Sequence, residues 1–195
     1  MNLLSNDTSK MIFVLIQFVR LVKNDEDVSM SKRSGTYTTI RDLLSEFNKD
    51  LVRVLMISRS SDAHFDFDLD KCREDSEENP VFYIQYAYAR IAGIMRLAEE
   101  NGFKHNKGNV DLLTHRSEMA LIRKMLLLPE VIEGIAISLA PHHLPRYTVE
   151  LATAFHLFYQ QCRVVSKDPE DKPITEARLK LTEACRVVLE RCLFL

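Results

Sequence analysis

The sequence predicts a mainly α fold, an antiparallel helical bundle preceded by a short α/β segment, and three features carry that reading. Glycine and proline are scarce, five and six in 195 residues, which favours long helices over a turn-rich β architecture. From Asn79 onward, apolar residues recur at helical spacing in five stretches separated by short polar or proline-containing segments. Ahead of them, the run "MIFVLIQFV" is rich in Ile, Val and Phe and reads as a buried β-strand.

Each element follows in order. Residues 12–28 are expected as that strand and the polar turn "KNDED". Thr39 is placed to cap a short helix, with Asp42 as the reciprocal acid of a capping box. A second amphipathic stretch, "DLVRVLMISRS", follows it. The segment "SSDAHFDFDLDKCREDSEE" is acidic and lacks helical period, so it reads as a connector. Asn79 then offers an N-cap and Pro80 suits the first helical position, where its missing N–H costs nothing. That helix is expected to end at Asn101–Gly102. Further helices are expected over about 113–128, 130–140, 145–165 and 174–194, with Pro129, "APHHLP" and "SKDPEDKP" between them. The resulting division is 1–60, a connector at 61–78, and a helical domain at 79–195.

Composition narrows the function classes. Apolar residues make up 46% and charged residues 28%, as in ordinary globular proteins. The apolar run is interrupted by Gln17, Arg20 and Lys23 and is too short to span a bilayer, which takes about 20 residues. No membrane partner is expected. Net charge is −2 overall, but +2 over 1–60, −6 over 61–78 and +2 over 79–195. With no polybasic tail, a nucleic-acid site has to be a local surface, and no DNA partner is expected. Cys72, Cys162, Cys185 and Cys192 form no C-x-x-C pair and read as reduced cytosolic thiols.

Several constellations invite chemistry. Asp66, Asp68, Asp70, Glu74 and Glu77 match the acidic positions of an EF-hand loop, but Lys71 stands where the turn demands glycine. No metal site is expected there. His142 and His143 are adjacent, so their side chains are expected to diverge, with no third ligand at helical spacing. His156, flanked by apolar residues in "AFHLFY", reads as a half-buried histidine. On the first long helix, Ile84, Ala87, Tyr88, Ile91 and Ala98 form a core stripe. Tyr83, Tyr86 and Arg90 form a second stripe. Two phenol rings and a guanidinium can stack unpaired bases and hold a phosphate; they can equally line a neighbouring helix with hydroxyls in water. In "SMSKRSG", Lys32 can meet developing phosphate charge and Gly35 allows close backbone approach. A solvated polar turn fits the same residues.

The context of that loop carries a resemblance. "SMSKRSG" after a hydrophobic strand resembles the KMSKS signature of class I aminoacyl-tRNA synthetases, in the form seen in arginyl-tRNA synthetases. "SRSSDAHFDFDLD", "ENPVFYIQYAYAR", "PHHLPRYTVELATAFHLFYQQCRV" and "EACRVVLE" resemble, in order, later segments of the same family. The resemblance implies a remnant of the class I catalytic domain joined to a DALR-type helical anticodon-binding domain. It implies ATP-dependent arginine activation, with Mg2+, and transfer of arginyl to an arginine-specific tRNA in the cytoplasm. Met30, Ser31, Lys32 and Arg33 would form the signature loop, with Lys32 stabilising the departing pyrophosphate and Gly35 in the ATP loop. Ser29 departs from the signature's first lysine. Tyr83, Tyr86 and Arg90 would contact the tRNA.

No H-x-G-H sequence occurs in the chain. The chain alone is therefore expected to be inactive, to bind no cofactor tightly, and to use ATP and arginine only together with an N-terminal part, as a fragment, a split gene product or an incomplete reading frame. The alternative is a free-standing, non-catalytic RNA-binding helical module. A further rival is a truncation that folds without a role.

Overall fold

A computed structural model of the chain describes residues 12–24, 26–28, 38–70, 72 and 79–195. Two hydrophobic cores divide the structure, one under a short sheet and one inside a helical bundle.

The sheet is built around β1 (Val19–Lys23), which pairs antiparallel with β2 (Glu26–Asp27) and parallel with β3 (Phe65–Asp68). Asn24 takes a left-handed conformation at the tight turn between β1 and β2, which asparagine tolerates better than most residues. Between β2 and β3 the chain forms α1 (Ile40–Glu46) and α2 (Lys49–Ile57). Parallel pairing needs such a crossover. Thr39 caps α1 as expected: its hydroxyl accepts from the Asp42 N–H at 3.1 Å, and its own N–H donates to Asp42 Oδ2 at 2.7 Å. Leu21, Leu43, Phe47, Leu51 and Phe67 fill the core beneath, with the Phe47 and Phe67 rings edge-to-face at 6.4 Å.

Two expectations are corrected here. The strand in "MIFVLIQFV" is confined to its end. Residues 12–18 form no regular element, and Ile12 through Ile16 and Phe18 are 50–89% exposed. A strand of continuous apolar sequence is stable only with both faces covered, and among the described residues nothing covers them. The acidic segment 61–78 also supplies β3. There Phe67 alternates inward while Asp66 turns out to a bidentate pair with Arg20, at 2.7 and 2.8 Å. That exposed pair holds the Asp66 carboxyl below its usual range.

The bundle begins with α3 (Pro80–Glu100), capped by Asn79, whose side chain accepts from the Val81 N–H at 3.0 Å. Val81 belongs to the small core, while Ile84, Ala87, Ile91, Ile94 and Ala98 line the large one. One helix thus ties both cores. Asn101 and Gly102 end it in a Schellman turn: Phe103 N–H donates to the Ala98 carbonyl and Gly102 N–H to Glu99, with Gly102 at φ +74°.

Then come α4 (Arg116–Leu126), α5 (Leu128–Ser138), α6 (His143–Gln161) and α7 (Lys172–Phe194). The expected helix at 113–128 starts later because His115 caps it, its ring accepting from Ser117 N–H while Glu118 closes the box. Pro129 separates α4 from α5 in the second position of the new helix, and Pro173 occupies the same position in α7. Leu121, Leu151, Phe155, Phe158, Leu179 and Leu189 form the fully buried centre.

Gly108 lies between two 3-10 turns (His105–Lys107 and Val110–Leu112) and touches the backbone of α7. A Cβ there would sit 2.2 Å from the Glu176 carbonyl oxygen, and a helix backbone cannot step aside as a side chain can. Gly108→Ala is expected to destabilise by about 1–3 kcal/mol through overpacking. A urea midpoint equal to that of the parent chain would refute this contact.

Candidate nucleic-acid interface

The i, i+4 spacing of Phe82, Tyr86 and Arg90 sets them in one row on α3. Across from them α6 presents His156 and Tyr159. The Phe82 and Tyr86 rings are nearly parallel, 7° apart in plane with centroids at 6.3 Å. Tyr86 lies over His156 at 5.5 Å, and Tyr83 meets the same imidazole at 4.8 Å. The Arg90 guanidinium stands 4.5 Å from the Tyr86 centroid and 4.6 Å from that of Tyr159, and donates to the Tyr86 hydroxyl. The result is a cation clasped between two phenol rings from different helices.

Three of these rings are open to solvent: Phe82, Tyr86 and Tyr159 are 36–38% exposed. No carboxylate among the described residues pairs with Arg90, so its charge is offset only by ring faces, an attraction of about 0.5–1 kcal/mol each at such sites. Its guanidinium has five N–H donors and spends one on Tyr86. An aromatic surface with an unneutralised cation suits bases and a phosphate together.

The expected stripe is partly rearranged. Tyr86 and Arg90 share the open row, but Tyr83 is half-buried against the large core. Tyr88, expected in the core stripe, is only partly buried and donates its hydroxyl to Glu190 on α7 at 2.5 Å. That bond raises the Tyr88 pKa. Phe82 and Tyr159 were not anticipated. The i, i+4 relation to Tyr86 was a usable signal for Phe82; Tyr159 has none, since it arrives by packing of α6 on α3.

Other candidates resolve differently. Met30, Ser31, Lys32, Arg33 and Gly35, with Ser29, lie outside the described residues, between β2 and α1 in the chain. The His142 and His143 rings do not diverge: their centroids sit 4.3 Å apart at the start of α6, where His142 is the cap residue and His143 the first helical one. His156 is more enclosed than expected, ringed by Tyr83, Tyr86 and Phe155. Asp68 and Asp70 of the EF-hand-like pattern accept from the backbone N–H of Asp70 and of Asn24, so they brace the sheet. Among the described residues no group of three His, Cys, Asp or Glu is placed to hold a metal ion. Cys162, Cys185 and Cys192 are free thiols, and burial pushes Cys185 up to about 12 and raises Cys162 and Cys192. Such thiols are poor nucleophiles. Among the described residues no helix is long and apolar enough to cross a membrane.

A family model described as the DALR anticodon binding domain matches residues 84–195, the span that holds Tyr86, Arg90, His156 and Tyr159. The chain belongs to the DALR anticodon-binding family. It is 44% identical over 182 residues to an arginine--tRNA ligase of Dehalococcoides mccartyi (strain CBDB1), covering 93% of this chain and 32% of the relative. To the arginine--tRNA ligase of Salinibacter ruber it is 41% identical over 191 residues, covering 97% and 34%. A crystal structure described as an arginyl t-RNA synthetase from Campylobacter jejuni superposes with a TM-score of 0.77 at 26% identity, covering 92% of this chain and 38% of that one. The DALR chain thus spans about a third of the length of the curated relatives it matches.

Proposed function

We propose that the chain supplies the tRNA-binding surface and the signature loop of an arginine–tRNA ligase. The observation that supports the RNA contact is the open cluster of Phe82, Tyr86, Arg90 and Tyr159 on α3 and α6. Unpaired bases of an arginine-specific tRNA stack on Tyr86 and Phe82, and Arg90 meets a neighbouring phosphate. Tyr83 supports that surface from beneath through His156.

In this reading Lys32, with Met30, Ser31, Arg33 and Gly35, faces ATP in the assembled enzyme, where Mg2+ and ATP serve arginine activation in the cytoplasm. Support comes from the likeness to arginine--tRNA ligases over more than nine-tenths of this chain. The isolated 195-residue chain lacks H-x-G-H, and so activates no arginine by itself. ATP–pyrophosphate exchange by the chain above that of Lys32→Ala would overturn this part.

The RNA contact is tested separately. Tyr86→Ala removes a partly exposed ring, so the melting transition should stay close to the parent's. Affinity for an arginine tRNA transcript in a gel shift is expected to fall by about 1–3 kcal/mol, the loss typical of one base-stacking aromatic. Equal binding by the parent and the variant would remove Tyr86 from the interface.

A further inference from the structure

The corner where α4 passes into α5 leaves a groove of about 530 Å³ beside the first turns of α6, a volume within the range of small-molecule sites. Leu127 closes one helix and opens the next, and α5 buries none of its own side chains. Val131 and Ile135 of α5 and Tyr147 of α6 give the groove an apolar lining. Tyr147 is buried there and fixed by the bond its hydroxyl donates to the Lys124 carbonyl at 2.9 Å. Gly134 lies in the same wall, and a Cβ at this position would meet no atom within 4 Å. No positive φ requires glycine there, and a glycine inside a helix weakens it relative to alanine. What this glycine provides is open space in the groove.

The rim is charged. Lys124 Nζ donates to Glu150 Oε2 at 2.9 Å, and Arg146 Nε donates to Glu150 Oε1 at 3.2 Å. Two cations thus share one carboxylate, and they hold its pKa below the usual range, Lys124 more strongly than Arg146. Among the described residues that line the groove Glu150 is the one carboxylate, so the rim carries a surplus positive charge. Donors are also in surplus: a lysine has three N–H groups and an arginine five, and each spends one on Glu150.

These features limit the occupant. A cation would meet two like charges, an uncharged apolar molecule would leave the surplus donors unanswered, and a bare inorganic anion would leave the apolar lining in water. We propose that the groove between α4, α5 and α6 binds a small organic anion with an apolar body, its carboxylate or phosphate held by Arg146 and Lys124 and its body laid against Val131, Ile135 and Tyr147. This site is separate from the RNA contact formed by Tyr86 and Arg90 on α3 and α6 and does not depend on it.

Indole-3-propionate serves as the probe and indole-3-propionamide as its uncharged counterpart, each titrated into the 195-residue chain and followed by amide chemical shifts. The acid should saturate with shift changes centred on α5 and the start of α6, and the amide should bind about tenfold or more weakly, as expected for hydrogen bonds to a charged group. Arg146→Gln should erase that difference while leaving the affinity for the amide unchanged. Gly134→Leu should abolish binding of both probes with melting no lower than the parent's, since leucine favours a helix interior over glycine. Equal affinity for acid and amide overturns the proposal, as does full binding by Gly134→Leu. Loss of probe binding in Tyr86→Ala would place the probe on the aromatic cluster instead and likewise overturn it. So would displacement of the probe by an arginine tRNA transcript, which would make the groove part of the RNA surface.

Discussion

Glu118→Ala is expected to lower the unfolding free energy by about 3–5 kcal/mol, the cost of breaking a buried ion pair from one side. Glu118 is 1% exposed, and its two oxygens have separate duties. Oε1 accepts from Arg178 Nε on α7 at 2.7 Å, and Oε2 accepts from the His115 N–H at 2.8 Å, closing the cap of α4. Alanine would leave a guanidinium that is only 19% exposed without its counter-charge, and one helix-end N–H without an acceptor. Arg178 keeps its bond to the Arg163 carbonyl at 3.0 Å, which places the effect toward the lower end of that range. Glu118→Gln retains an acceptor and should cost less. Urea denaturation followed by circular dichroism measures both, and a Glu118→Ala midpoint within error of the parent would show that water takes over the carboxylate's duties.

That pair also shows what could be read in advance. In "HRSEMALIRKML" the cap was not read, because a histidine stands where a capping box usually has serine or threonine, and nothing local tells that the same glutamate reaches an arginine sixty positions later. The helices of the bundle were legible because Asn79–Pro80, Asn101–Gly102 and Pro129 carry their boundaries in neighbouring residues. The strand β3 lies in a segment read as an acidic connector, although Phe65, Phe67 and Leu69 alternate with aspartates as in a strand with one covered face. The run at residues 12–18 misled for the opposite reason: its residues suit a buried strand, and burial depends on partners that local sequence does not supply.

The candidate interface divides in the same way. Tyr86 and Arg90 were readable from helical period, since they share a turn-to-turn row on α3. Tyr83 carries the same chemistry but packs against His156 of α6 and is half-buried against the core. Tyr159, on the other side of Arg90, depends on how α6 crosses α3, which no spacing within either helix encodes. The expected signature loop was read only through likeness and its ordered company downstream, and it lies outside the described residues.

Phe155→Ala is the second large effect expected, about 3–5 kcal/mol for truncating a fully buried phenylalanine. Its consequence goes beyond stability because of its neighbours. The Phe155 ring is stacked with Tyr159 at 6.4 Å and packs against His156 at 5.8 Å, so it is the floor on which the α6 half of the candidate interface rests. Phe158 is equally buried, and its ring contact is with Phe155 itself at 6.3 Å. Phe158→Ala should therefore lose comparable stability while leaving Tyr159 and His156 supported. Both variants remain mostly folded at low temperature if the parent has the usual reserve of about 5–15 kcal/mol. Under those conditions, affinity for an arginine tRNA should fall further for Phe155→Ala than for Phe158→Ala. Equal losses would mean that affinity follows global stability, and that the platform formed by Tyr86, Arg90 and Tyr159 does not depend on the ring beneath it.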